Sequence, residues 1–458
     1  MNSVSANDKG KPALGELLAW AAYDVANSVY GTVVATAVYN AYFVEVIAGR
    51  APGFTHGAGA AVLTGSICVS SLINVVTAPI IGTISDAKAA KKKLLFLSTF
   101  TCIVCVALLA FVGPGAVWLG AVVLTLSNVA FGTGESLIAA FLPELADKDS
   151  LGRISALGWA AGYVGGLITL GIVLTYISWA HSHALDVTQY VPNTMIFCAG
   201  YFALASLPTF LWVKERATKD PHAEGKNYIK LGLERLGNTL AHAGHYKDLL
   251  NFLLALFTYT CGTATVFHLA SVYAQQVFQF TTSDTVALIL SVNVTAIFGS
   301  LAFGFIQDRI GSIKTLIITL SVWVVAVLLA VVIKDRQQFW LVGNLIGLAM
   351  GASGSAGRAL VARFAPQGRS GEFLGLWNVA VKLATAIGPL VFGLISFLTA
   401  SNFRLALLSS ELFLIFGTLF LFRVNEARGT KASESELDQS PPLAMQANPV
   451  VTEDAHEI

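Results

Sequence analysis

The sequence predicts an all-α integral membrane protein of about twelve transmembrane helices, arranged as two pseudo-symmetric six-helix bundles. Three observations predict it. Of 458 residues, 55 % are apolar and 12 % charged, and the mean hydropathy is +0.69. A soluble domain carries about 25 % charged residues, so this chain cannot cover a water-facing surface and lipid must be its solvent over much of its length. The apolar residues fall into twelve helix-length runs, and features of the first six recur in the second six at one fixed offset.

A hydrocarbon core of about 30 Å takes about 20 helical residues to cross. The first six runs cover 17–47, 60–84, 94–112, 117–141, 154–177 and 192–213. The second six cover 249–277, 283–306, 316–333, 339–360, 373–399 and 403–422. Helix is the required conformation, because a lipid-exposed backbone must satisfy its own hydrogen bonds, and barrel strands would be half as long and alternating. Residues 1–16 are polar and lack the apolar core of a signal peptide.

Loop charge sets the expected orientation. With both termini cytoplasmic, the cytoplasmic segments hold 22 Lys and Arg residues and the opposite loops hold Arg50, Lys334, Arg336 and Arg404. The expected organisation is an N-terminal bundle over 1–213, a cytoplasmic linker over 214–247, a C-terminal bundle over 248–425 and a disordered tail over 426–458. Within the linker, Ile229, Leu233, Leu236 and Leu240 recur at helical spacing and predict an interfacial amphipathic helix. The tail is Ser/Glu/Asp/Pro-rich and poor in apolar residues.

The repeat is specific. Gly82 and Gly304, Asp86 and Asp308, Lys92 and Lys314, and Gly166 and Gly388 are each 222 residues apart. Parallel six-helix repeats suit carriers that bind substrate between their halves near the bilayer midplane. The glycine of Gly-x-x-x-Asp lets helices approach, and the Asp can cap or ion-pair with a neighbouring helix end. That motif with its basic loop resembles the signature loop of the major facilitator superfamily. Asp86 and Asp308 are therefore expected to serve gating.

Charges within a span cost about 2.5–3.5 kcal/mol on insertion scales, so those present should face protein or a hydrated cavity. In the first run Asp24 heads a polar stripe continued by Asn27, Ser28 and Gly31. Glu135 shares a helix face with Asn128, Arg358 ends a stripe of Asn344, Gly347, Gly351 and Ser355, and Asn378 lies one turn before Lys382. The expected solute site is Asp24, Asn27, Tyr30, Asn128, Glu135, Tyr259, Arg358, Asn378 and Lys382, on the first, fourth, seventh, tenth and eleventh spans. Glu135 and Arg358 occupy equivalent helices of the repeat at similar depth, which suggests a pair across the cavity. Asp24 and Glu135 are the expected carriers if protons are coupled. His268 reads as a packing residue, and Glu411 receives no role.

Several functions find no support. The net charge of +1 predicts no polyanionic partner, and no basic run reads as a nucleic-acid patch. No phosphate-binding Gly-x4-Gly-Lys-Ser/Thr loop appears, so ATP is not expected. Cys68, Cys102, Cys105, Cys198 and Cys261 lie in apolar runs without metal-ligand spacing. No metal, cofactor or enzymatic role is expected, since no nucleophile–base constellation stands out.

The first run reads Tyr23-Asp-Val-Ala-Asn-Ser28. Further on come Phe141-Leu-Pro-Glu-Leu145, Arg153-Ile-Ser-Ala-Leu-Gly-Trp159 and Gly162-Tyr-Val-Gly-Gly166. The second half has Arg358, Ala362-Arg-Phe-Ala-Pro366, Gly371-Glu-Phe-Leu-Gly-Leu376, Lys382 and Gly388-Pro-Leu390. In these motifs, across nearly the whole membrane domain, the chain resembles the vacuole effluxer family, the autophagy-related branch of the major facilitator superfamily, and its bacterial relatives. The resemblance implies a major facilitator fold, alternating access and export of small solutes, with amino acids as the class associated with fungal members. By position it marks Asp24, Asn27, Glu144, Arg358, Glu372 and Lys382, and adds Glu144 and Glu372 to the gating residues. Val25, Gly354 and Val381 depart from the family's usual Trp, Gln and Gly.

The leading expectation is a secondary transporter of a small polar or zwitterionic solute in a bacterial inner membrane, with the bilayer, the solute and protons as partners. One rival keeps the fold and takes a lipid or amphiphile. Another is a non-transporting receptor or assembly protein, in which the buried charges are statically paired.

Overall fold

The computed structural model describes residues 12–52, 56–217, 246–280, 282–399 and 402–439. The expected amphipathic linker helix and the chain beyond 439 lie outside these residues. Twelve helices are long and apolar enough to cross a membrane, and they coincide with the twelve apolar runs.

The first half contains α1 (Leu14–Val29), the one-turn α2 (Tyr39–Tyr42), α3 (His56–Lys88), α4 (Lys91–Leu109), α5 (Val117–Ala139), the one-turn α6 (Leu142–Leu145), α7 (Leu151–Ser182) and α8 (Val187–Trp212). The second contains α9 (Lys247–Phe278), α10 (Thr282–Ile310), α11 (Ser312–Val332), α12 (Arg336–Phe364), α13 (Ser370–Leu398) and α14 (Phe403–Leu421). A last helix, α15 (Glu426–Gln439), follows. Six spans return each half to the face it began on, and that face holds the start of α1, the segment after α8 and α15. It is called the terminal face below.

The first span is not one regular helix. After Val29 the turns widen over Tyr30–Ala37 and again over Phe43–Ala48. Val38 N–H donates to Val33 C=O at 2.9 Å and Gly49 N–H to Val44 C=O at 3.1 Å, both across five residues. Such π-type turns recur at functional sites in helices. The sequence carries no signal for them.

The halves meet chiefly along two helix pairs, α3 with α13 and α7 with α10, and also where α12 packs on α7 and α13 on α5. The 222-residue offset carries α3 onto α10 and α7 onto α13, so the two contacts are one contact repeated. Each needs a glycine. A Cβ on Gly82 would come within 2.1 Å of the Gly371 carbonyl oxygen, and one on Gly304 within 2.4 Å of the Ala156 Cβ.

Helix capping differs between the faces. Away from the terminal face α8, α12 and α14 are capped by their own leading residues. Asp186 accepts from Thr188 N–H, Asp335 from Gln337 N–H and Asn402 from Leu405 N–H. On the terminal face α4, α7, α11 and α13 have no side-chain cap of their own. Carboxylates distant in sequence serve instead: Glu215 for α4, Asp308 for α7, Glu426 for α11 and Asp86 for α13. Two of these, Asp308 and Asp86, reach across from the opposite half.

The tail is a correction. Its first part, expected without structure from 426, forms α15. Asn425 Oδ1 accepts from Arg428 N–H at 2.9 Å as an N-cap, and Glu426, Arg428 and Glu434 pair with Arg363, Asp248 and Lys148. Helix-forming composition plus these anchors offsets the lack of apolar residues.

Candidate functional site

Four of the expected site residues form two ion pairs between the halves. Arg358 Nη1 lies 3.1 Å from Asp24 Oδ2. Lys382 Nζ lies 2.9 Å from Glu135 Oε2. The expected Glu135–Arg358 pair does not form, because α12 packs on α7 and so delivers Arg358 to α1 and α7, whereas α13 faces α5.

The two pairs have different surroundings. Arg358 is 4 % exposed. Its Nε donates to Ser155 Oγ at 3.1 Å and its Nη2 to Ser155 C=O at 2.7 Å, and the guanidinium lies 5.0 Å from the Trp20 ring and 5.8 Å from the Trp159 ring. Gly158 makes the room. A Cβ there would sit 2.2 Å from Asp24 Oδ2 and 2.7 Å from Arg358 Nη2. The second pair is partly open, with side-chain exposures of 20 % for Lys382 and 32 % for Glu135. Lys382 Nζ lies 5.6 Å from the Phe131 ring, which stacks on Tyr30 at 4.5 Å.

Asn378, one turn from Lys382 towards the terminal face, is 2 % exposed. Its Nδ2 donates to Gly132 C=O at 2.9 Å and to Ser136 Oγ at 2.6 Å, stitching α13 to α5. Asn378 therefore closes α13 onto α5 on the terminal-face side of Lys382.

The other expected site residues are held within their own halves. Tyr30 hydrogen-bonds Ser127 Oγ at 2.8 Å. Asn128 donates to Leu124 C=O at 3.0 Å and accepts from Asn74 through its backbone carbonyl at 3.3 Å. Tyr259 is buried inside the C-terminal half with its hydroxyl against Gly357. Asn27 is buried, and its Oδ1 has no hydrogen-bond partner among the described residues. His268, expected as a packing residue, is exposed on α9.

The terminal face is sealed by the expected gating residues together with groups the sequence did not single out. Asp86 Oδ2 accepts from Glu372 N–H at 3.1 Å. Its equivalent, Asp308, accepts from Gly152 N–H at 2.9 Å and pairs with Arg153 Nε at 2.7 Å. Lys91, fully buried, reaches Asp86 at 3.3 Å, Glu144 at 2.6 Å and Ser370 Oγ at 2.7 Å, so one ammonium joins both halves. Glu144 also accepts from Arg216 N–H at 2.7 Å, and Glu372 pairs with Arg369 at 2.8 Å. Both carboxylate oxygens of Glu16 bond Arg216 at 2.7 Å, which raises the guanidinium above its ordinary range. Lys91 and Ser155 were missed because a lysine run reads as loop charge and a serine in a helix carries no signal. Gly158 lies in the stretch Arg153–Trp159, where its spacing to Asp24 was invisible.

A concavity of about 820 Å³ lies along α7, lined by Leu167, Ile168, Gly171, Ile172, Thr175, Tyr176 and Trp179. It contains none of the charged residues and belongs to one apolar helix face, so the ion pairs, not this groove, define the candidate site.

Twelve spans in two repeated halves, joined at mid-depth by charged side chains, define a polytopic membrane protein of the major facilitator fold. Solved structures share that fold. The human organic anion transporter MFSD10 matches with a TM-score of 0.67 at 16 % identity, covering 89 % of this chain and 99 % of its own. A bacterial homologue of the iron transporter ferroportin, in an outward-facing state, matches with a TM-score of 0.64 at 13 % identity, covering 89 % and 98 %. Within this fold the chain belongs to the family described as Vacuole effluxer Atg22 like, whose model matches residues 14–434. It is 27 % identical over 424 residues to the Uncharacterized MFS-type transporter YxiO of Bacillus subtilis, covering 92 % of this chain and 97 % of that one. It is 22 % identical over 319 residues to Autophagy-related protein 22 of Eremothecium gossypii, covering 64 % of this chain and 60 % of the fungal protein.

Proposed function

We propose that the protein is a secondary transporter that moves a small polar or zwitterionic solute by alternating access between its halves. The observation that carries this reading is the contrast between the two ion pairs. Glu135 and Lys382 stand at the accessible end of the crevice, one carboxylate and one ammonium, the complement of a zwitterion's two charges. Asp24 and Arg358 are more enclosed and cross-bonded to Ser155, and act as the floor that must part before the terminal face opens. The caps from Asp86 and Asp308, with Lys91, Glu144 and Glu372, form the gate beyond it. The family's effluxer description and the transporter name of the Bacillus relative support transport and an export direction, and an amino-acid-like solute fits the charges. The Lys and Arg asymmetry supports a cytoplasmic terminal face in a bacterial inner membrane.

The test is thermal stabilisation of the purified full-length protein across a library of amino acids, other zwitterions, sugars and lipids. A zwitterion is expected to raise the wild-type melting temperature and to lose that effect in Lys382→Ala and Glu135→Gln. A stabilising zwitterion that works equally well on Lys382→Ala, or stabilisation by lipids alone, overturns the assignment. A second reading, a static scaffold, is favoured by the fact that all four mid-depth charges are paired. It requires that no solute in the library shifts the melting temperature.

A further inference from the structure

Glu411 differs from every other carboxylate discussed above. It lies mid-way along α14, about 12 Å from the Phe403 end and about 15 Å from the Leu421 end at about 1.5 Å per residue. It is 3 % exposed, and neither carboxyl oxygen has a hydrogen-bond partner among the described residues. The neighbouring Ser410 Oγ is likewise buried without a partner. Glycines close the packing around it: Gly262 of α9 lies against the Ser410 carbonyl and Leu414, and Gly417 of α14 against Tyr259.

Helices α9, α11 and α13 pack against α14, and no titratable group on them engages Glu411. On α9, Lys247 lies at the terminal face, Asp248 pairs with Arg428, the Tyr259 hydroxyl lies against Gly357, Cys261 is a buried free thiol, His268 is exposed and Tyr273 donates to the Ala330 carbonyl. On α11, Lys314 sits in the first turn at the terminal face. On α13, Glu372 pairs with Arg369 and Lys382 with Glu135. On α14 itself, Arg404 donates to the Val331 carbonyl.

An ionised carboxylate held this way has no cation, no donor and no water-facing edge. Burying an isolated charge costs far more than burying the neutral acid, so the group takes up a proton instead. Asp24 and Glu135, the carboxylates that sequence reasoning favours for proton coupling, are each engaged by a cation. We propose that Glu411 is a proton-binding site in the C-terminal half, separate from the ion pairs of the crevice. Loading forms one O–H bond on a carboxyl oxygen with a proton from water and leaves a neutral acid. Unloading returns that proton to water and leaves a carboxylate, so it requires water to enter between α9, α11 and α14. Proton release is thereby tied to a loosening of α14 against α9.

The test needs no transport substrate, so it stands apart from the solute reading. Full-length protein in phosphatidylcholine liposomes is examined by infrared difference spectroscopy between neutral and alkaline pH. The wild type is expected to lose a protonated-carboxyl C=O band on alkalinisation. That band is expected to be absent from Glu411→Gln and unchanged in Asp24→Asn and Glu135→Gln. A band that persists in Glu411→Gln, or that vanishes in either of the other variants, overturns the proposal, as does its absence from the wild type. Glutamine mimics the neutral acid in size and charge, so Glu411→Gln should match the wild-type melting temperature at neutral pH. If the native state alone retains the proton, wild-type stability falls as pH rises and the variant's does not. A Glu411→Gln protein that fails to fold equally contradicts a neutral native side chain.

Discussion

Arg358 and Lys382 are both cations within the bilayer span, yet their surroundings give them different energetics. Asp24–Arg358 is the more enclosed pair, with side-chain exposures of 15 % and 5 %, and is braced by Ser155 and two indole rings, so removing one partner leaves a largely buried charge uncompensated. Such losses cost about 3–5 kcal/mol. Glu135–Lys382 is partly open, and exposed pairs contribute about 1 kcal/mol or less. Asp24→Asn should therefore lower the unfolding free energy several-fold more than Lys382→Ala, as read by denaturant titration in detergent. Equal losses would mean that both pairs are equally dry. The same neighbourhood accounts for one departure from the family pattern: a Cβ on Gly354 would come 2.9 Å from the Trp159 ring, so a glutamine there requires the indole to move. Nothing in the structure explains Val381 in the same way.

At the scale of elements, the capping pattern separates the two faces. Opposite the terminal face α8, α12 and α14 carry their own caps, whereas α4, α7, α11 and α13 on the terminal face borrow carboxylates from segments far away in the chain. A cap contributes about 0.5–2 kcal/mol. Borrowed caps are lost when the donor segment moves, and the proposed parting of the halves would break those of Asp86 and Asp308 together. Glu426 is the counterpart within one half, accepting from Ser312 N–H at 2.8 Å and Ile313 N–H at 3.2 Å while pairing with Arg363. Glu426→Ala is expected to destabilise the protein by about 1–2 kcal/mol, seen as a lower melting temperature and faster amide exchange in the first turn of α11. Unchanged exchange there would show that α15 merely rests on the face.

For the whole molecule, the described hydrogen bonds and ion pairs between the halves lie at the terminal face or at mid-depth, which makes this the state closed on that face. Its closure depends on two glycine-mediated crossings related by the internal repeat. Gly304→Leu should push α10 away from α7 and shift the population towards opening. With the five native cysteines replaced, a cysteine at Ser370, buried in the seal, should react several-fold faster with a membrane-impermeant thiol reagent applied from the terminal side in the Gly304→Leu background. Equal rates would show that this crossing does not hold the face shut.

Much of this architecture is written in short-range features of the chain. Twelve apolar runs require twelve spans because lipid cannot satisfy a bare backbone, and the 222-residue offset of Gly82 and Asp86 onto Gly304 and Asp308 announces two halves with equivalent loops. The mid-depth charges were legible for the same reason, since an ionised side chain inside a span is costly wherever it points. Their partners were not legible. Whether Arg358 meets Glu135 or Asp24 depends on the crossing of α12 over α7, where Gly158 makes room for the Asp24–Arg358 pair and Gly354 lies against the Trp159 ring, and that crossing is summed over whole helix faces. The widened turns after Val29, the burial of Lys91 and the isolation of Glu411 likewise depend on neighbours brought in from distant segments. Composition and periodicity fix how a helix sits in the membrane, because that is a balance between one segment and its solvent. Which side chains face each other is a balance among all segments at once, and only the packed structure decides it.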